Sequence, residues 1–257
     1  MRAIAISAAA LLALMALAAA QDDRTARDAP CRLVEFEHSR FTLCVARRST
    51  QNLSLVTEGH DGRPVRSFAR LAELLRGRPL AFAFNAGMFG TDGRPIGLAI
   101  VDGIEQVPLN RRSATGNFYM VPNGVFFGDA RGWHLATTEA FAVLSRATVQ
   151  FATQSGPMLL VGGVINPQFA ADGPSRNRRN GVGLDRDGSA LFVISEDPVS
   201  FGRFARLFCD RLGCRDALYF DGAVSSLWDP AAGRRDERAA LGPLIVAEAI
   251  PKAGSTS

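Results

Sequence analysis

Three apolar runs in this chain stop on a polar side chain that stands beside a glycine. They are F-A-F-N-A-G-M-F (82–89), T-Q-S-G-P-M-L (153–159) and Y-F-D-G-A-V-S-S (219–226). A fourth segment, R-N-R-R-N-G-V-G (176–183), brings Arg179 to the start of another apolar run. Each pattern alone is what a strand ending in a turn requires, because Asp, Asn and Gly favour turns. Together they gather a carboxylate (Asp221), a guanidinium (Arg179), an amide (Asn85), the hydroxyls of Ser155, Ser225 and Ser226, and the small residues Gly87, Gly156 and Gly222. Ligand sites form where strand ends converge polar groups on backbone that a ligand can approach closely. The chemistry this set suits involves an anion, since a planar guanidinium grips phosphate or carboxylate through two bonds. A serine nucleophile would need an adjacent base, and His38, His60 and His134 all lie outside these segments.

The elements that would position these groups can be read from periodicity and punctuation. Residues 32–57 alternate apolar and polar, as half-buried strands do. Phe68, Leu71, Leu74 and Leu75 fall at helical spacing over 67–77, with Ser67 as cap and Gly77 as stop. A buried strand is expected at 79–85, short strands at 97–101, 118–121, 124–128 and 133–136, and a short helix at 138–145 capped by Thr138. Strands at 181–186 and 190–195 meet across D-R-D-G as a hairpin. The amphipathic helix 200–213 shows Phe201, Phe204, Phe208 and Leu212 on one face. Strands at 217–222 and 244–250 follow. No linker or repeat divides the chain. The expectation is a single α+β domain over 31–250, with a mixed, mostly antiparallel twisted sheet and a few packed helices, and a loose tail at 251–257.

Composition sets limits on partners. The 257 residues are 47% hydrophobic and 21% charged, enough to bury a core. The net charge of +4 is mild and scattered, without the dense basic face that a nucleic acid needs. The first twenty residues carry one early positive charge, then an Ala/Leu run ending with Ala18 and Ala20 before Gln21. This is the pattern of a secretory signal peptide (1–20), followed by a polar leader (21–30). The mature protein is expected to be exported to the periplasm or medium and not embedded in a membrane. In such a compartment Cys31, Cys44, Cys209 and Cys214 read as structural thiols, with two local disulfides the natural expectation. Four cysteines allow three pairings, and spacing does not choose among them. The dispersed histidines and the lack of C-x-x-C argue against a zinc site.

Taken in order, N-A-G-M-F (85–89), Q-S-G-P-M-L (154–159), R-N-G-V-G (179–183) and A-L-Y-F-D-G-A-V-S-S (217–226) resemble the phosphodiester glycosidase family. That family includes the lysosomal uncovering enzyme, which removes N-acetylglucosamine from a sugar phosphodiester. The likeness extends to a bacterial exported subgroup through P-I-G-L (95–98), G-N-F-Y (116–119) and P-N-G-V-F-F (122–127), and covers roughly residues 80–246. Two departures stand out: Gly222-Ala223 replaces a doubled glycine, and Asn180-Gly181 follows Arg179 where the family favours Thr-Ala.

The resemblance implies cleavage between a sugar's anomeric carbon and a phosphate oxygen. The leaving group would be a phosphate monoester, whose second pKa is near 6, so it departs with little help from the proton donor that ordinary glycosidases require. Asp221 would be the carboxylate and Arg179 the phosphate clamp, assisted by backbone N–H groups around Gly156 and Gly222. Asn85, Gly87 and Ser155 would contact a small or polymer-attached phosphosugar, and Ser225 and Ser226 would do the same or orient Asp221. No cofactor is expected, and a divalent ion held by Asp221 and Asn85 stays open, with a ligand count too thin to predict it. The alternative is a non-catalytic module that binds phosphosugars or envelope polymer.

Overall fold

The computed structural model describes residues 29–251, so the signal peptide, nearly all of the leader and the tail beyond Pro251 lie outside the described residues. The strands are β1 (Cys31–Phe36), β2 (Ser39–Ala46), β3 (Gln51–Val56), β4 (Leu80–Asn85), β5 (Ala99–Val101), β6 (Ile104–Val107), β7 (Gly124–Asp129), β8 (Gly132–Thr137), β9 (Phe151–Ser155), β10 (Met158–Val161), β11 (Val164–Ile165), β12 (Asn180–Leu184), β13 (Ala190–Ser195), β14 (Ala217–Tyr219), β15 (Leu227–Asp229), β16 (Arg234–Arg235) and β17 (Leu244–Ala249). The helices are α1 (Phe68–Leu75), α2 (Thr138–Ala142) and α3 (Phe201–Arg206). No helix among the described residues is long and apolar enough to cross a membrane.

The strands form three sheets, ordered β1-β2-β13-β12-β14-β10-β11, β16-β15-β4-β17-β3 and β6-β5-β9-β7-β8. Every ladder between the named strands is antiparallel, so the chain is an α+β fold built mainly of strands. The sheets share one core. Phe192 of the first sheet meets Phe82 (5.5 Å between ring centroids) and Phe84 (5.6 Å) of the second, and Phe126 (5.7 Å) of the third. Edge-to-face and tilted arrangements at this spacing add about 0.5–1.5 kcal/mol per pair beyond area burial. Each outer face is covered by one helix. Helix α3 packs on the first sheet through Phe204, α1 on the second through Phe68 and Leu71, and α2 on the third through Phe141.

Local chemistry explains most boundaries and several departures from expectation. Ser67 caps α1, its Oγ accepting from the Arg70 N–H at 3.1 Å. Thr137, not Thr138, caps α2, accepting from the Ala140 N–H at 3.2 Å; Thr138 turns inward, its Oγ1 accepting from the Gln154 side chain. The expected strand at 118–121 is a 3-10 turn, Asn117–Tyr119, that buries Phe118. The helix expected over 200–213 is regular only to Arg206 and widens into a π turn at Leu207–Arg211.

The cysteines divide. Cys31 and Cys44 face each other across the β1–β2 hairpin and form a disulfide. The expected second bridge is corrected: Cys209 and Cys214 are free. The π turn directs the Cys209 sulfur toward the Gly163 carbonyl, while Cys214 is buried between sheet and helix, beside Gly183 and Phe208. Burial pushes the Cys214 thiol up to about 12, so it stays protonated and inert.

Candidate active site

The four polar segments meet. Backbone bonds join them, with the Asp221 N–H donating to Ala86 O at 3.1 Å and the Tyr219 N–H to Pro157 O at 3.0 Å. The Gly87 N–H donates to Thr153 Oγ1 at 3.2 Å. The site therefore stands at the ends of β4, β9 and β14 and the start of β12. Gly87 and Gly156 are required for this convergence: an added Cβ would run into the Gln154 carbonyl at Gly87, and lie 2.7 Å from Phe118 O at Gly156. Both glycines are pressed against protein, which explains them without a ligand.

Asn85 is the hub. It is 1% exposed, and its Nδ2 donates to the Asp221 carbonyl at 2.8 Å. Its Oδ1 accepts from Asn180 Nδ2 and from the Ser226 N–H, both at 2.8 Å. Asn180 also donates to Asn85 O at 3.1 Å and accepts from Ser225 Oγ at 3.3 Å. Ser225 Oγ lies 2.9 Å from Gly222 O, and Ser226 Oγ lies 2.7 Å from Val224 O. Of the two roles expected of Ser225 and Ser226, these bonds suit the orienting of Asp221, and Asn85 joins them in it. Their polar atoms are committed to one another and to the 222–224 turn, and they hold Asp221 in place. The Asn85 oxygen already accepts two donors, which removes it as second ligand of an ion beside Asp221. Ser155 differs: it is fully buried and its Oγ has no partner.

Asp221 sits at the head of the 3-10 turn Gly222–Val224, its Oδ1 accepting from the Ala223 N–H at 3.2 Å. That one bond lowers its pKa less than burial raises it, so its carboxyl titrates above the ordinary aspartate range. Among the described residues no cation pairs with it, and Ala223 itself is exposed.

Arg179 is the largest fully buried side chain, 1% exposed. Its Nε donates to Val199 O at 2.8 Å and its Nη2 to Ser175 O at 2.9 Å, while Ser195 Oγ accepts from its backbone N–H. The guanidinium carbon lies 3.5 Å from the ring centroid of Phe201, the first residue of α3, which is stacked in turn on Phe169. Among the described residues no carboxylate forms an ion pair with it. A desolvated cation–π contact returns about 2 kcal/mol, against several kcal/mol for burying an ion. The two carbonyl bonds add to that return, and the charge itself is left without a counter-ion among the described residues. Nε and one hydrogen of Nη2 are spent on carbonyls, so the second Nη2 hydrogen and Nη1 are the donors left for the two-bond grip expected of Arg179.

The neighbouring acids serve structure. Glu196 accepts from Thr42 Oγ1 at 2.7 Å and from Arg178 Nη2 at 2.8 Å, and also pairs with Arg234. Asp197 pairs with Arg40 at 2.8 Å. Sequence reasoning passed over Asn180, which neighbours Arg179 but faces the other way, and Tyr219. The signal for Tyr219 was present in the strand period of two, which sets it on the same side as Asp221.

The phosphodiester glycosidase family model matches residues 79–239. The uncharacterized protein YigE of Escherichia coli K12 is 37% identical over 162 residues, which span 62% of this chain and 62% of that protein. Among solved structures, the catalytic domain of zebrafish N-acetylglucosamine-1-phosphodiester alpha-N-acetylglucosaminidase, auto-inhibited by its pro-peptide, superposes with a TM-score of 0.58 at 14% identity, covering 85% of this chain and 81% of that one. A hypothetical protein from Synechocystis gives 0.56 at 14% identity over 86% and 61%. A Burkholderia pseudomallei protein described as exported gives 0.53 at 12% identity over 83% and 74%. At such identities the superpositions report the fold alone. The family match carries the stronger statement, because it covers every strand end that meets at Asp221: the chain belongs to the phosphodiester glycosidase family.

Proposed function

We propose that the protein is an exported hydrolase that cleaves the sugar–phosphate bond of a glycosyl phosphodiester. The observation that carries this reading is a buried, unpaired cation, Arg179, set beneath the same strand ends as an unpaired carboxylate, Asp221. A phosphate drawn to Arg179 Nη1 would place the adjoining anomeric carbon near Asp221. The carboxylate then serves as nucleophile or as base for water, and its raised pKa makes it the stronger base. The phosphate leaves with negative charge that the buried guanidinium stabilises, an interaction worth more here than in water. Ser155 Oγ, buried and unpartnered, is a further donor for this site. The Cys31–Cys44 disulfide supports an oxidising compartment outside the cytoplasm.

The test is release of reducing sugar from a panel of hexosyl and N-acetylhexosaminyl phosphodiesters by the purified protein. Asp221→Asn lowers the rate by about 10²–10⁴-fold, the scale of a positioned acid or base. A folded Asp221→Asn variant with unchanged release removes Asp221 from the reaction.

A further inference from the structure

Tyr219 is 3% exposed, on the last position of β14. Its ring is fixed edge-to-face against Phe201 at 4.8 Å, so it shares a wall with the Arg179 guanidinium, whose central carbon lies 5.7 Å from the Tyr219 centroid. Its hydroxyl lies against the Cα of Gly222, where an added Cβ would overlap the phenol oxygen. Gly222 is thus a glycine because Tyr219 occupies the space of a side chain. Burial and the Asp221 carboxylate raise the pKa of the Tyr219 hydroxyl further than Arg179 and the Gly222 N–H lower it. The phenol therefore keeps its proton and has it to give in a hydrogen bond.

We propose that Tyr219 is a ligand-contacting residue of this site, its hydroxyl donating a hydrogen bond to an oxygen of the phosphate that Arg179 attracts. The inference rests on the phosphosugar reading above, and it requires no proton transfer. The adjacent guanidinium strengthens the hydroxyl as a donor, and the Phe201 wall and Gly222 fix its direction before any ligand arrives. One hydrogen bond to a charged group corresponds to about 10- to 100-fold in affinity.

Inorganic phosphate is the probe, and the chain's two tyrosines make the readout simple. Labelling with 3-fluorotyrosine yields two fluorine resonances, and Tyr119→Phe assigns them. Phosphate titrated into the full chain shifts the Tyr219 resonance saturably, and calorimetry finds binding at least tenfold weaker in Tyr219→Phe. Equal affinity in Tyr219→Phe overturns the proposal. So does phosphate binding that leaves the Tyr219 resonance unmoved, or the absence of saturable binding to the wild type. Should Tyr219→Phe fail to fold, the resonance in the wild-type protein decides alone. A resonance that responds in a protein releasing no sugar from any phosphodiester instead counts against the hydrolase reading and leaves Tyr219 as a phosphate contact.

Discussion

At the scale of single residues, Asp221 is ionised at a cost to stability. Burial raises its carboxyl pKa, opposed only by the Ala223 N–H. A carboxyl that titrates higher folded than unfolded stabilises the fold relative to its ionised state below the unfolded value, near 3.9. That contribution is lost as pH rises through the folded value. Asp221→Asn, which keeps an acceptor for Ala223, should therefore raise the melting temperature at pH 7, by about 2–4 °C for each 1 kcal/mol relieved. The gain should shrink toward zero as pH falls below 4, and scanning calorimetry across pH checks it. Asn85 gives the opposite result. Asn85→Ala leaves the Ser226 N–H and the Asp221 carbonyl without their side-chain partner and leaves the Asn180 amide only its bond to the residue-85 carbonyl. At about 1–3 kcal/mol per buried group left unsatisfied, it should lower the urea midpoint clearly and abolish activity together. An Asn85→Ala protein with wild-type stability would contradict its role as hub.

At the scale of elements, the strand ends were legible because punctuation is local. Asn, Asp and Gly announce a turn wherever they close an apolar run, and β4, β12 and β14 end or begin where those residues stand. What the residues do at the turns depended on neighbours distant in sequence. Asn85 meets Asn180 and Ser226, 95 and 141 positions away, so its role as hub could not be read from N-A-G-M-F. The cysteines show the same limit. Cys31 and Cys44 pair because a hairpin sets them opposite each other, whereas a π turn separates the directions of Cys209 and Cys214. Denatured under non-reducing conditions, the protein should therefore show two reactive thiols. Cys31→Ala/Cys44→Ala should lose about 3 kcal/mol of stability by urea titration, the value for closing a loop of about 15 residues. The loss frees β1, which has only β2 beside it in the sheet.

At the scale of the whole molecule, three antiparallel sheets meet around Phe192, and their strand ends carry the polar groups to one place. The buried aromatic core makes that convergence rigid, which suits a site whose parts come from four separate segments. The order of those segments along the chain was enough to point to the family. The buried state of Arg179 was not legible, because its place at the start of an apolar run does not say which way the guanidinium turns, and only the fold shows it against Phe201. The central claim is that Asp221 is the carboxylate of a glycosyl-phosphodiester hydrolase. The most direct measurement is the initial rate of sugar release from a sugar 1-phosphodiester as a function of pH, for the wild type and for Asp221→Asn. The wild type should release sugar, with kcat/KM rising along an acid limb whose midpoint lies above that of an ordinary aspartate, and the variant should lose both the limb and the rate. A folded variant that keeps the wild-type rate and acid limb would contradict it.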